Sequence, residues 1–186
     1  MENLYHQYIK DVIPLNRTQK KICDQFLKLY ESMSFDQITI VLLCRKVKIA
    51  RTTFYAYFDS VYDVLNLIED NCLASMLRSN LNINNPETEA SVYQSYIKES
   101  ASYFSANSVL LKTLLFRPLS MNFIEKWKNY IKYHYFDMCS GDEYKLELTA
   151  SNFISTFSFW LKHDIKITDS EINRVLKPFF HFVETL

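Results

Sequence analysis

A single glycine, Gly141, in 186 residues constrains this chain more than any other feature. Sheets turn back on themselves through residues of positive φ, a conformation that glycine supplies without steric cost. With one glycine and four prolines, the chain is poorly equipped for hairpins and well equipped for long helices joined by short loops. Hydrophobic residues make up 48% and aromatics 16%, which is ample for a buried core at this length. The expected fold class is all-α, with about nine helices in total.

Periodicity and capping residues place those helices. Residues 1–15 read as a short amphipathic lead-in, with Leu4, Tyr5, Tyr8, Ile9 and Val12 on one helical face and Pro14 as the stop. Asn16 is the N-cap of a helix over 17–32 striped by Ile22, Phe26 and Leu29. Thr39 caps the next, over 40–46, and Ile38 can staple onto Leu43. Val47-Lys48-Ile49 makes a tight connection to a short helix over 51–57. Ser60 and Asp63 form a capping box that opens a long helix to about residue 80, striped by Val61, Val64, Leu65, Ile68, Cys72 and Met76. Further helices are expected over 87–105, 108–116, 119–138, 143–163 and 169–185. Pro86 suits the first turn of the first of these, and Gly141 the turn before the fourth. The last opens with a Thr168/Glu171 capping box and an Ile167/Ile172 staple, and carries Pro178, which should kink it.

The formal net charge of zero hides an asymmetry. Residues 1–58 carry nine basic and five acidic side chains, and residues 59–186 carry twelve and sixteen. A basic head on an acidic body fits a nucleic-acid end joined to an end with another task, although a solvated helix face gives the same count. Cys23, Cys44, Cys72 and Cys139 are widely spaced and read as buried small apolar residues in a reducing compartment. His134, His163 and His181 share no metal-ligand spacing. No metal site, cofactor or catalytic residue is expected, because glycine-rich phosphate loops, nucleophile elbows and zinc-protease motifs are all missing from the sequence. Met1–Lys10 lacks the apolar core of a signal peptide, and no apolar run reaches the ~20 residues of a membrane span. The expected location is cytoplasmic, with no membrane partner and no enzymatic activity.

The segment Ile38–Phe58 meets the demands of a helix-turn-helix: two short helices, a tight turn, and polar and basic side chains left on the second helix. Leu43, Cys44, Val47, Ile49, Phe54 and Phe58 would form its small core. Thr39, Lys48, Arg51, Thr52, Thr53, Tyr55 and Tyr57 are the candidate DNA-binding residues. Arginine can read guanine with two hydrogen bonds, threonine can touch a thymine methyl, and tyrosine hydroxyls and lysine can hold phosphates. An ordinary helical hairpin with charged tips shares the generic spacing, so the detail matters.

Phe35, Thr39, Cys44, the turn Val47-Lys48-Ile49 and the run Thr53-Phe54-Tyr55-Ala56-Tyr57-Phe58 resemble the DNA-binding domain of the tetracycline-repressor (TetR/AcrR) family over about residues 17–65. The later helices are similar to that family's regulatory domain in number and order. The resemblance implies a helix-turn-helix domain over 1–60, including a short N-terminal extension, and a helical regulatory and dimerisation domain over 61–186. It implies a homodimer on a palindromic DNA operator, acting as a repressor and answering to a small-molecule or protein effector whose site is unknown. Two departures stand out. The family's turn glycine is Lys48 here, and the lysine that often follows the recognition helix falls at Val61. The alternative reading is an all-helical ligand- or protein-binding module that has kept the fold and lost DNA binding.

Two apolar seams lie in the last two helices. Leu146, Ala150, Phe153, Phe157 and Trp160 are spaced 4-3-4-3, and Ile172, Leu176, Phe179 and Val183 are spaced 4-3-4. Spacing alone equally describes the core of one chain. The resemblance assigns Phe153, Phe157, Trp160, Leu176 and Phe179 to a dimer interface. The middle helices are rich in aromatics, including Tyr93, Tyr96, Tyr103, Phe104, Phe116, Phe123, Trp127, Tyr130, Tyr133, Tyr135 and Phe136. These fit either an effector pocket or, more simply, a core.

Overall fold

Five of the helix starts described coincide with side chains that satisfy free N–H groups of a first turn. The computed structural model describes residues 2–81, 101–166 and 168–186. Asn16 accepts from the N–H groups of Thr18 and Gln19, both at 2.9 Å, and Gln19 returns a bond to the Asn16 N–H, closing a capping box on α1 (Arg17–Tyr30). The Thr39 hydroxyl accepts from Leu42 N–H at 3.1 Å and opens α2 (Ile40–Val47). A short α3 (Arg51–Tyr55) follows. Ser60 and Asp63 then exchange bonds at the head of α4 (Val61–Leu81): Asp63 accepts from the Ser60 N–H at 2.7 Å and gives its own N–H to the Ser60 hydroxyl at 3.3 Å.

The second half continues with α5 (101–106), α6 (Ser108–Phe116), α7 (Ser120–Tyr135), α8 (Glu143–Lys162) and α9 (Asp169–Thr185). Asp142 caps α8 through the Lys145 N–H, and Thr168 caps α9 through the Glu171 N–H. Gly141 takes φ 70° in the turn before α8, where its N–H reaches Phe136 O at 2.9 Å. Helix α9 runs on through the exposed Pro178. Helices and 3-10 turns, with no strand among the described residues, make this an all-α fold. Residues 87–100 of the expected 87–105 helix, with Tyr93 and Tyr96, lie outside the described residues, as does the Ile167 staple.

One expectation fails at the N-terminus. Instead of an amphipathic helix over 1–15, only a 3-10 turn forms at Leu4–Tyr8, and of the supposed face just Tyr5 is buried, with Leu4 and Tyr8 exposed. The reason lies in where the backbone bonds go. The N–H of Lys10 donates to the Tyr130 hydroxyl at 3.0 Å and that of Ile13 to the Asn71 side chain at 2.8 Å. Groups that a helix would have paired internally are held by the body of the protein instead.

One apolar cluster joins both halves, from Ile22, Phe26, Leu43 and Phe54 near the N-terminus, through Val64, Leu65 and Ile68 on α4, to Phe104, Trp127, Phe157 and Leu176. Among the described residues, most aromatic side chains of the middle helices belong to the core. Phe104 stacks on Phe157 at 4.2 Å between centroids and lies 5.3 Å from Trp127. Phe123, Trp127, Tyr130, Tyr135 and Phe136 are buried, Tyr103 and Tyr133 are half-buried, and Phe116 is exposed.

All four cysteines are free and buried, as small apolar residues would be. Burial pushes the Cys23 and Cys72 thiols up to about 12. No helix among the described residues is long and apolar enough to cross a membrane.

Candidate nucleic-acid interface

Aromatic rings hold the head together. Phe26 and Tyr30 of α1 pack against Phe35 in the loop before α2, with centroids 6.2 and 6.0 Å apart, and Phe35 meets Tyr62 at the start of α4 at 4.5 Å. Under α2 and α3, Leu43, Cys44, Phe54 and Phe58 are buried, Phe54 completely. Phe54 and Phe58 touch at 5.7 Å, which ties the end of α3 to the same core. Removing a ring as buried as Phe54 costs about 3–5 kcal/mol.

The turn between α2 and α3 rests on Lys48, which adopts the left-handed conformation (φ 60°, ψ 52°). The Ile49 N–H reaches back to Cys44 O at 3.0 Å, the six-to-one bond of a Schellman-type cap. Lysine therefore does here what glycine does more cheaply, and the cost of its β-carbon is about 1–2 kcal/mol.

This anchoring leaves one side of α2 and α3 facing solvent. Thr39, Lys48, Arg51, Thr52, Tyr55 and Tyr57 are exposed, and Thr53 is half-buried. Arg45 and Lys46 at the end of α2 are exposed beside them. None of Arg45, Lys46, Lys48 and Arg51 is engaged in an ion pair among the described residues. Arg51 lies close enough to the buried Cys44 for its charge to oppose, in part, the rise that burial gives that thiol. The seven residues singled out from the sequence thus lie within one stretch of α2, turn and α3, with four uncommitted cations among or beside them. Sequence reasoning passed over Arg45 and Lys46. Their signal was present, as basic residues in the last turn of a helix that leads into the turn.

Among known proteins, no family profile matches the chain. It is 25% identical over 141 residues to the HTH-type dhaKLM operon transcriptional activator DhaS of Lactococcus lactis subsp. lactis (strain IL1403), a stretch covering 76% of this chain and 73% of the relative. A solved structure described as the dihydroxyacetone kinase operon activator DhaS superposes with a TM-score of 0.59 at 18% identity, covering 91% of this chain and 98% of the other. The structural likeness shows the fold. The sequence likeness is to a transcriptional activator.

The residues expected at a dimer seam are mostly buried within the single chain. Phe153, Phe157, Trp160 and Leu176 are 2%, 1%, 2% and 0% exposed within one protomer, and only Phe179 is half-buried. Phe153 packs on Tyr135 at 5.3 Å, and Phe157 meets Phe104 at 4.2 Å and Trp160 at 5.1 Å. These four residues are core of the single chain: α8 turns its heaviest stripe toward α5 and α7, and Leu176 of α9 joins the same cluster. Among the described side chains, the large apolar ones that α8 and α9 leave exposed are Tyr144, Phe159 and Phe182. Among the described residues no group of three potential metal ligands comes together.

Proposed function

We propose that the chain is a DNA-binding transcription regulator of the tetracycline-repressor type, reading DNA with residues 1–60 and receiving its signal through 61–186. The observation that carries this reading is the solvent face of α2, turn and α3. Arg51, Thr52 and Tyr55 project from a short helix whose other side is locked into a core by Phe54, and unpaired cations flank it. Arg51 is the candidate base reader. Lys48, Tyr57 and the Thr39 hydroxyl are candidates for phosphate, with Arg45 and Lys46 reinforcing them. The likeness to DhaS supports transcription regulation, and since that relative is described as an activator, it favours activation over the repression that the family resemblance implies.

A palindrome requires two heads about one helical turn of DNA apart, and so a dimer. The outward faces of α8 and α9, with the exposed Phe159 and Phe182 and the half-buried Phe179, are the proposed contact. The test is selection of genomic fragments on the purified protein, followed by binding curves on the enriched duplex. Arg51→Ala is expected to cost about 1–3 kcal/mol and relax the sequence preference. If wild-type protein enriches no sequence at low or moderate salt, the reading fails and a binding module without DNA affinity takes its place.

A further inference from the structure

The N-terminal segment 3–13 crosses the molecule. It leads through 14–15 to Asn16, the cap of α1 and so of the reading head, yet its bonds are made to the body. Asn3 Nδ2 donates to Tyr133 O on α7 at 2.9 Å, while the same side chain accepts from Tyr5 N–H at 3.1 Å. The buried Tyr5 gives its hydroxyl proton to a Glu143 carboxylate oxygen at the start of α8, and Lys132 Nζ sits 5.4 Å over its ring. The Lys10 N–H goes to the Tyr130 hydroxyl at 3.0 Å.

Between these two attachments the segment grips α4. Lys10 Nζ pairs with Asp70 at 2.7 Å, and Asn71 exchanges two bonds with the backbone of Ile13, accepting its N–H at 2.8 Å and donating to its carbonyl at 3.0 Å. The same turn of α4 is held from the other side by α7. Lys126 pairs with both Asp70 and the buried Glu69 at 2.8 Å, and Asn122 donates to Glu69 at 2.6 Å. Residues 69–71, flanked by Asn66, which the same α7 side chains reach, and by Cys72, whose carbonyl takes the Tyr103 hydroxyl, therefore pin α4 to the body, and Asp70 is the node shared by the two clamps.

We propose that the segment 3–13 is a strap that fixes the pose of α4 on the body, with Lys10 and Asn71 as positioning residues for DNA reading. The inference rests on the DNA-binding function proposed above. Its mechanical basis is the distance from the pin to the head. Helix α4 begins six residues after the end of α3 and runs about 14 Å from Val61 to Asp70 at 1.5 Å per residue. A tilt of about 10° around the pin carries the head some 2–3 Å over that arm, and in a dimer both heads move. Two half-sites one helical turn apart tolerate little such error, whereas one half-site is indifferent to it. The strap is also joined through Asn16 to the head's first helix, so a signal that moves α7 or the start of α8 reaches the head through α4 and the strap, besides the direct bond that Arg117 donates to Glu31 O at the end of α1.

The experiment uses full-length Lys10→Met/Asn71→Ala, two changes at exposed or half-buried side chains outside the apolar core. Affinity is measured for the duplex recovered by genomic selection and for the same duplex with one arm scrambled. In parallel, spin labels on cysteines introduced at the exposed Asp59 and Met138 report the head-to-body distance, the native thiols being buried. Expected are an unchanged melting temperature within about 2 °C, a loss of about tenfold on the palindrome, less than twofold on the half-site, and a broadened distance distribution. An unchanged palindrome-to-half-site ratio overturns the proposal, and so does an unchanged distance distribution. If the wild type binds neither duplex, the DNA-reading function fails, and the label distances alone decide for or against the strap.

Discussion

Lys48 carries two opposed contributions that substitution separates. Its left-handed backbone, φ 60° and ψ 52°, costs about 1–2 kcal/mol for any residue with a β-carbon. Glycine removes that cost and adds about 0.4–1 kcal/mol of unfolded-state entropy. Lys48→Gly is thus expected to stabilise the fold by roughly 0.5–1 kcal/mol, a rise of about 2 °C in melting temperature for a chain of this size. Lys48→Ala keeps the β-carbon and is expected to be close to neutral. Toward DNA the two variants behave alike, since each lacks the exposed ammonium. Each is expected to flatten the slope of log affinity against log salt by about 0.9 for every phosphate no longer neutralised, or about 1.8 for a dimer. Urea denaturation and salt titrations of DNA binding read the two effects. A Lys48→Gly variant less stable than wild type would refute the account of the turn. A salt slope that stays unchanged in both variants would refute the phosphate role of the ammonium while leaving the turn intact.

Thr39→Ala removes the bond to Leu42 N–H that opens α2 and is expected to cost about 1 kcal/mol by denaturant midpoint, with Thr39→Ser recovering most of it. Burial depresses the imidazole of His134 from its ordinary 6.5 to about 4. The unfolded chain therefore binds a proton that the folded chain refuses between those values, so His134 favours folding above about pH 6.5 and loses up to about 3 kcal/mol of that contribution as pH falls toward 4. Replacing it with Gln should make stability less pH-dependent over that window, as measured by urea unfolding at about pH 7 and about pH 4.5. Phe157→Ala, in the core, should cost about 3–5 kcal/mol, whereas a Phe159→Glu/Phe182→Glu double variant should stay folded and run as a monomer in light scattering. A folded double variant that remains a dimer removes the outer faces of α8 and α9 from the proposed interface.

What could be read from the sequence was local. Asn16, Thr39, Ser60 with Asp63, and Thr168 announce their helices because a capping side chain bonds within three residues of itself, and all of them cap where expected. The face of α2 and α3 was legible for the same reason, since a short amphipathic pair must bury Leu43, Cys44 and Phe54 and leave the residues between them outside. The strap was not legible. Its two decisive bonds join Lys10 to Tyr130 and Ile13 to Asn71, across 120 and 58 residues, and a helical pattern of apolar residues looks the same whether or not such partners exist. Arg45 and Lys46 were missed for a different reason, because a basic last turn is ordinary in any helix.

The seam in α8 shows where periodicity stops informing. A 4-3 spacing states that a helix has a buried stripe; it does not say whether the same chain or another copy covers it. In a helix of twenty residues both answers can hold at once, on opposite faces. The bulky stripe, from Leu146 to Trp160, is spent inside the protomer against Phe104 and Tyr135. The other face runs Tyr144, Leu148, Ser151, Ser155 and Phe159, in which small residues lie between larger ones and only the ends are strongly exposed and apolar. Small side chains in the middle of such a face permit a second helix to approach closely, and large ones at its ends add area without steric conflict. If two chains pair through α8, the sequence signal of that pairing is therefore weaker than the signal of the core it lies behind. Apolar spacing alone selects the core stripe first, for the physical reason that burial within one chain demands bulk while close packing between two helices rewards its absence.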